Sequence, residues 1–249
     1  MTAVDPHVKV LDEAIVRRAK ARGLDALVYA PHFQRFDDIR ARAERFSDDE
    51  LLVVPGREVF TGSWRNRRHV LAIGLQAPVP DFITLEAAMR EFDRQGAAVL
   101  IPHPSFLSVS LGSEQIEQYR DVIDAVETYN PKYWPHHERR AGSIAREFDL
   151  PAFASSYAHL PGTVGEIWTS FDREIDDASD LVDALRAGDP REPAHRTGLT
   201  HYGRRAIEFS HLGWENSWGK IDRILRAGTE PTHPEQPAYD GRFDDASVY

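Results

Sequence analysis

GAAVLIPHPSF, residues 96–106, decides how the rest of the chain is read. Residues 97–101 are an apolar run of strand length, bounded by Gly96 on one side and Pro102-His103-Pro104 on the other. Such a run fits a strand buried on both faces, as in a parallel sheet. The flanking prolines stiffen the backbone around His103. An imidazole on a rigid turn at a strand's C-terminal end stands where α/β folds gather their chemistry.

Units of the same kind lie on both sides. Strands are expected at residues 4–10, 25–30, 51–54 and 69–74, then at 122–129, 151–156 and 166–170. Helices are expected at 12–22, 36–46, 85–95, 113–120, 135–148 and 179–187. Thr84 suits the N-cap of the helix that Gly96 ends, and its apolar residues Leu85, Ala88, Met89 and Phe92 fall on one face. Strand, polar loop, helix and glycine recur, which argues for a parallel sheet with crossover helices. The rhythm stops near Glu192. Residues 1–190 are therefore expected as a (β/α) barrel, 191–227 as a helical C-terminal extension, and the Pro-, Asp- and Gly-rich residues 228–249 as a flexible tail. Trp214 and Trp218, four apart on the extension, would form a stripe able to pack on the barrel or dock a partner.

The composition narrows the function. The chain of 249 residues has no cysteine, so thiolate metal sites and cysteine nucleophiles are excluded and any metal is held by His, Asp or Glu. The net charge of −10 disfavours nucleic acid as a partner. No apolar run approaches the roughly 20 residues of a membrane span, and the N-terminus carries no secretory pattern. A cytoplasmic protein without a membrane partner is expected. Lys9, Lys20, Lys132 and Lys220 are the only lysines among 30 basic residues. That balance fits a halophilic source or a GC-rich coding bias equally. Phosphate-cradling glycine loops and a nucleophile elbow are both missing.

Four histidines, His7, His32, His103 and His159, each follow an expected strand; so does Glu58, while His69 opens one. In a barrel the strand C-termini share one face, and these side chains would meet there as a metal site by residue type. Plain alternatives exist for each: a loop imidazole capping a strand, a solvated carboxylate, a buried histidine with a backbone partner. Glu127 suits either a supporting carboxylate or a ladder end. His136 and His137 are expected exposed, and His195, His201, His211 and His233 as surface or packing residues.

The segments DPHVK (5–9), GLDALVYAPH (23–32), PGREVF (55–60), HVLAIGL (69–75), AVLIPHP (98–104), DAVETYN (124–130) and SSYAH (155–159) resemble, in order, those of the PHP (polymerase and histidinol phosphatase) family. The resemblance implies a distorted (β/α)7 TIM-like barrel, a PHP-associated extension, and a metal-dependent phosphoesterase that uses one or two divalent ions, zinc or manganese. It implies His7, His32, Glu58, His69, His103 and His159 as metal ligands and a small phosphorylated substrate.

The chain departs from that pattern in three places. Lys9 stands where the family's opening His-x-His has its second histidine, Pro31 where it has an aspartate, and Tyr157 where it has the late aspartate. By resemblance, Lys9 and Tyr157 remove half of one metal's ligands. The second metal's set survives as Glu58, His69 and His103. A third keeps His32 and His159.

Two opposed readings result. In the first, the chain is a hydrolase: Lys9 and His159 take catalytic roles, and Arg57, Lys132 and Tyr157 meet the substrate. In the second, the catalytic centre has degenerated, Lys9 neutralises Glu58 without a metal, and the pocket binds an anionic ligand or a protein. The oligomeric state is not legible.

Overall fold

The computed structural model describes residues 1–63, 65–106, 109–211 and 232–248. Trp214 and Trp218 lie outside the described residues, as does the rest of the expected helix beyond residue 211. The elements are β1 (Thr2–Val8), α1 (Glu13–Ala21), β2 (Ala26–Tyr29), α2 (Phe36–Phe46), β3 (Leu52–Thr61), β4 (Arg68–Ile73), α3 (Leu85–Gln95), β5 (Ala98–Ile101), α4 (Ser113–Gln118), β6 (Ala125–Tyr129), α5 (Pro135–Glu147), β7 (Ala152–Ala154), β8 (Ile167–Phe171), α6 (Ala178–Arg186) and β9 (Arg191–His195). A further helix, α7, covers residues 199–211.

The strands form one sheet in the order β7-β6-β5-β4-β3-β2-β1-β8-β9. It curls into a nearly closed barrel. Thr169 Oγ1 on β8 donates to the carbonyl of Ala154 (2.9 Å) and accepts its N–H (3.0 Å), tying the β7 edge to the far end of the sheet. The N–H of Lys9 donates to Ala158 O at 2.9 Å across the same gap. The expected barrel is present, but its sheet is mixed rather than parallel. β4 runs antiparallel to β3 and β5, and β8 antiparallel to β1 and β9. Only residues 62–67 join β3 to β4, too few for a crossover helix, so the second strand must run back.

Local sequence explains the elements that hold the barrel. Thr84 accepts the N–H of Ala87, and Gly96 (φ 67°) closes α3 in the left-handed conformation. Asp12 and Asp177 cap α1 and α6 in the same way. The barrel interior is filled by Val4, Val28, Leu71, Ile73, Leu100 and Phe153, packed against Leu181, Ala184 and Leu185 of α6. Each such buried side chain contributes about 1.5–3 kcal/mol. Helix α6 lies against Gly74, which follows β4, and Gly96, which precedes β5. It therefore stoppers the end of the barrel opposite His103.

Two expectations are corrected. Residues 55–58 are not a loop after a strand: β3 runs through them for ten residues. Pro55 sits where β3 ends its pairing with β2 and Gly56 begins the pairing with β4, so the missing N–H falls at the change of partner. Residues 232–248, within the stretch expected as a flexible tail, lie on the barrel. Tyr239 and Phe243 join the core cluster around α3, Thr232 Oγ1 donates to Asp81 (2.5 Å), and the N–H of Val248 donates to Phe82 O (2.9 Å). No helix of the described residues is long and apolar enough to cross a membrane.

Asp5 on β1 is fully buried and accepts the N–H of Ser156 at 3.0 Å. Burial pushes its carboxyl up to about 7. The native state then keeps a proton that the unfolded chain has lost above its ordinary carboxylate value. Stability from this group falls as pH rises from about 4 to about 7 and is flat beyond. Asp5→Asn should remove that slope, read as urea midpoints across the pH range. An unchanged slope would show that the carboxyl titrates normally.

Candidate metal centre

Glu58 is the hub. Alternation along β3 turns Glu58 and Phe60 to one face and Arg57 and Val59 to the other. Phe60 pairs directly with His69 on β4, and the two rings stack at 4.0 Å with 2° between planes, which sets the imidazole over Glu58. His69 lies at the start of its strand. Because β4 runs backwards, that start is at the mouth where the other strands end. β1 delivers His7 and then Lys9; the turns after β2, β5 and β7 deliver His32, His103 and His159.

The ligand atoms of Glu58, His69 and His103 all lie within 4.8 Å of one another. His69 Nδ1 is 3.3 Å and His103 Nε2 3.2 Å from Glu58 Oε1. Around Oε2 stand Lys9 Nζ (2.5 Å), His32 Nδ1 (3.1 Å) and His7 Nε2 (3.7 Å). Lys9 Nζ also donates to Ala30 O at 2.6 Å. Yet neither ring nitrogen of His7 or of His69, nor Nδ1 of His32, makes a hydrogen bond, although all are buried. Buried imidazoles without partners are costly unless something else meets their lone pairs.

The network sets the tautomer of His103. Ser110 Oγ spends its hydrogen on Phe106 O (2.6 Å), so it accepts from His103 Nδ1 (2.9 Å). In the neutral ring the Nε2 lone pair would face Glu58 Oε1 (3.2 Å), an arrangement that a cation between them satisfies. Ser110→Ala should therefore weaken metal affinity by about 10–100-fold, measured by competition with a chelating dye. Unaltered affinity would remove Ser110 from this role.

Electrostatics agree. Burial alone would raise the Glu58 carboxyl, but Lys9 and the imidazoles of His32, His69 and His7 outweigh it and hold it well below the carboxylate range. Burial, with Lys9 next, pushes His7 and His32 well below the usual imidazole value; burial brings His69 to about 4 against the pull of Glu58. His7, His32 and His69 are thereby held neutral beside an ionised carboxylate, a donor set suited to a divalent cation.

Glu127 supports it from below. It accepts the N–H of His103 (2.7 Å), Asn130 Nδ2 (3.1 Å) and Ser155 Oγ (2.5 Å). This anchors the His103 backbone, which holds a left-handed φ of 37°. Tyr157 (φ 43°) places its ring 4.6 Å from that of His7, 5.4 Å from His103 and 4.9 Å from His159. Lys132 Nζ lies 3.2 Å from the centre of the same ring, buried and with no hydrogen-bond partner. Burial pushes its amine down to about 7, against the pull of Glu208 and Glu58.

Arg57 is not brought to the site. It lies on the other face of β3, 3.0 Å from Asp81. Sequence reasoning missed Ser110 and also Glu208, which comes from α7 to accept the N–H of His159 (2.8 Å) and Thr163 Oγ1 (2.8 Å). No local pattern marks either one. His201, left as a surface or packing residue, is buried against Glu166.

Comparison with known proteins agrees with this architecture. Residues 135–190 match the family model described as PHP-associated. PsfC from Pseudomonas syringae superposes with a TM-score of 0.62 at 17% identity, over 87% of this chain and 98% of that one. A two-domain protein from Bacteroides vulgatus containing a predicted PHP-like metal-dependent phosphoesterase gives 0.59 at 20% identity, over 83% and 69%. The chain has a PHP fold and carries a PHP-associated segment. A lesion-specific endonuclease from Pyrococcus furiosus shares the fold with a TM-score of 0.56 at 15% identity, over 77% of this chain and 57% of the other. At these identities the likeness is one of fold. No curated relative matches the sequence. The PHP-associated match runs from α5 to the edge of β9 and so lies before residue 191, where the sequence alone puts such an extension.

Proposed function

We propose that the protein is a metal-dependent phosphoesterase whose PHP barrel holds one divalent ion, zinc or manganese, on Glu58, His69 and His103. One observation carries this reading: three ligand atoms within 4.8 Å, beside buried imidazole nitrogens that have no hydrogen-bond partner. When bound, such an ion polarises a phosphoryl oxygen and makes water a nucleophile at neutral pH.

The chain's own groups do the rest. The Lys9 ammonium, against Glu58 Oε2, supplies positive charge where phosphoryl oxygens gather. Lys132, lacking a hydrogen-bond partner above the Tyr157 ring, offers a second donor. Nδ1–H of His159 donates to Tyr157 O at 2.9 Å, which leaves Nε2 as the basic nitrogen; a proton taken up there would pass to the leaving oxygen. The substrate is a small phosphorylated molecule; with a net charge of −10 the chain repels long nucleic acids.

One observation favours a second reading. Lys9 is in contact with Glu58 and neutralises part of its charge with no metal at all. In that case the pocket binds an anion without cleaving it. Elemental analysis of protein purified without chelator separates the two, with p-nitrophenyl phosphate and its bis-ester assayed in Mn²⁺. The phosphoesterase reading expects about one ion per chain and hydrolysis lost with EDTA. Absence of both would leave the anion-binding reading.

A further inference from the structure

A second polar cluster lies away from Glu58, where β8 begins and α7 passes over it. The buried carboxylate of Glu166 gathers three guanidinium groups: Arg18 at 3.1 Å, Arg22 at 3.0 Å and Arg204 in direct contact with Oε1. Arg196 joins them. Its backbone N–H donates to Glu166 O (2.9 Å), and its side chain donates to Gly165 O (3.0 Å) and Arg22 O (2.9 Å). Gly165 (φ 71°) makes this closeness feasible, since a Cβ there would stand 2.4 Å from Arg22 Cβ.

Three guanidinium groups thus crowd one carboxylate and a fourth, that of Arg196, lies beside them, in a chain whose net charge is −10. Burial, then Arg22 and Arg204, push the Arg18 guanidinium below its ordinary value. Beside them is a cavity of about 680 Å³ bounded by Arg22, Glu166, Trp168, Arg196, His201 and Arg204. His201 is buried in its wall. Its Nδ1 lies 3.3 Å from Glu166 Oε2, and its Nε2 has no hydrogen-bond partner.

We propose that this cavity is a binding site for a phosphate-type oxyanion, separate from the Glu58 centre. Glu166 positions the guanidinium groups and cancels one of their charges, leaving the rest for a ligand. The donors come from the end of α1, the β9–α7 connection and α7, so they converge from several directions. That suits a tetrahedral oxyanion with several acceptor oxygens better than a planar carboxylate. The cavity is larger than one oxyanion, with room for an organic group carrying it. His201 and Glu208 are seven residues apart on α7, about 10 Å along the helix axis, so the two sites are neighbours on one element.

The test uses the full chain treated with EDTA, so that no metal holds phosphate at Glu58. Inorganic phosphate is titrated by calorimetry and thermal shift against sodium chloride of equal ionic strength. Phosphate should bind wild type and Lys132→Met, which lacks the free donor of the Glu58 pocket, alike, and bind Arg22→Gln/Arg204→Gln at least tenfold more weakly. Equal binding by that double variant, or a chloride effect as large as that of phosphate, would overturn the proposal. Should the double variant fail to fold, His201→Phe keeps every arginine pair to Glu166. A threefold or greater loss of affinity supports the site, and none overturns it. Glycerol 2-phosphate distinguishes the sources: tighter binding than phosphate means an organic phosphomonoester, equal or weaker binding means free phosphate, and either keeps the site.

Discussion

On the phosphoesterase reading, Glu58→Gln protein is expected to lose a divalent ion on desalting and its hydrolytic activity with it. The substitution keeps the shape of the side chain and removes its charge. Supporting partners of metal ligands are worth about 10–100-fold in affinity, so a ligand shared by His69 and His103 should be worth at least about 100-fold. Stability should fall as well. Lys9 Nζ, 2.5 Å from Glu58 and nearly inaccessible, becomes a buried charge without its counter-ion. Breaking one side of such a pair costs about 3–5 kcal/mol. Metal content after dialysis and urea unfolding read the two effects independently. Full metal retention by the variant would place the ion elsewhere.

The second large effect concerns Lys9. In Lys9→Met the carboxylate of Glu58 stays buried, and its ordinary partner is gone. The metal-free variant should melt on the order of 10 °C below wild type. Divalent ion should restore most of the loss, because a cation bound at about 100 times its Kd adds about 2.7 kcal/mol to the folded state. Wild type, whose ammonium already sits on Glu58 Oε2, should gain less from the same ion. Thermal melts of both proteins with EDTA and with Mn²⁺ give four numbers. If metal stabilises the two equally, Lys9 does not stand in for a cation, and the hub must be balanced by its imidazoles alone.

Legibility from sequence tracked how local the cause was. β5 and its His103 could be read because a short apolar run between Gly96 and a Pro-His-Pro says both where a strand lies and where it stops. The caps of α3 were legible for the same reason. His69 was placed at a strand start, which is only informative once β4 is known to run backwards; direction depends on the length of the β3–β4 connection and on pairing, not on composition. Pro55-Gly56 reads as a turn, which puts Glu58 after a strand, whereas in the fold it marks a change of ladder partner. Arg57 looked like a substrate contact by adjacency, yet neighbours along a strand face opposite ways, and it found Asp81 instead. Glu208 meets His159 across 49 residues, a contact set wholly by tertiary packing. The placement of 232–248 is of the same kind: Tyr239 and Phe243 are single aromatics in a polar stretch and become core only beside α3.

Helix α6 seals the floor of the barrel with Leu181, Ala184 and Leu185. Among the described residues, access to the Glu58 centre is thus left to the end of the barrel that carries His69 and His103. On the phosphoesterase reading, substrate and both products would share that end. Phosphate, the product matched to the Lys9 and Lys132 cations, is then expected to inhibit competitively with substrate.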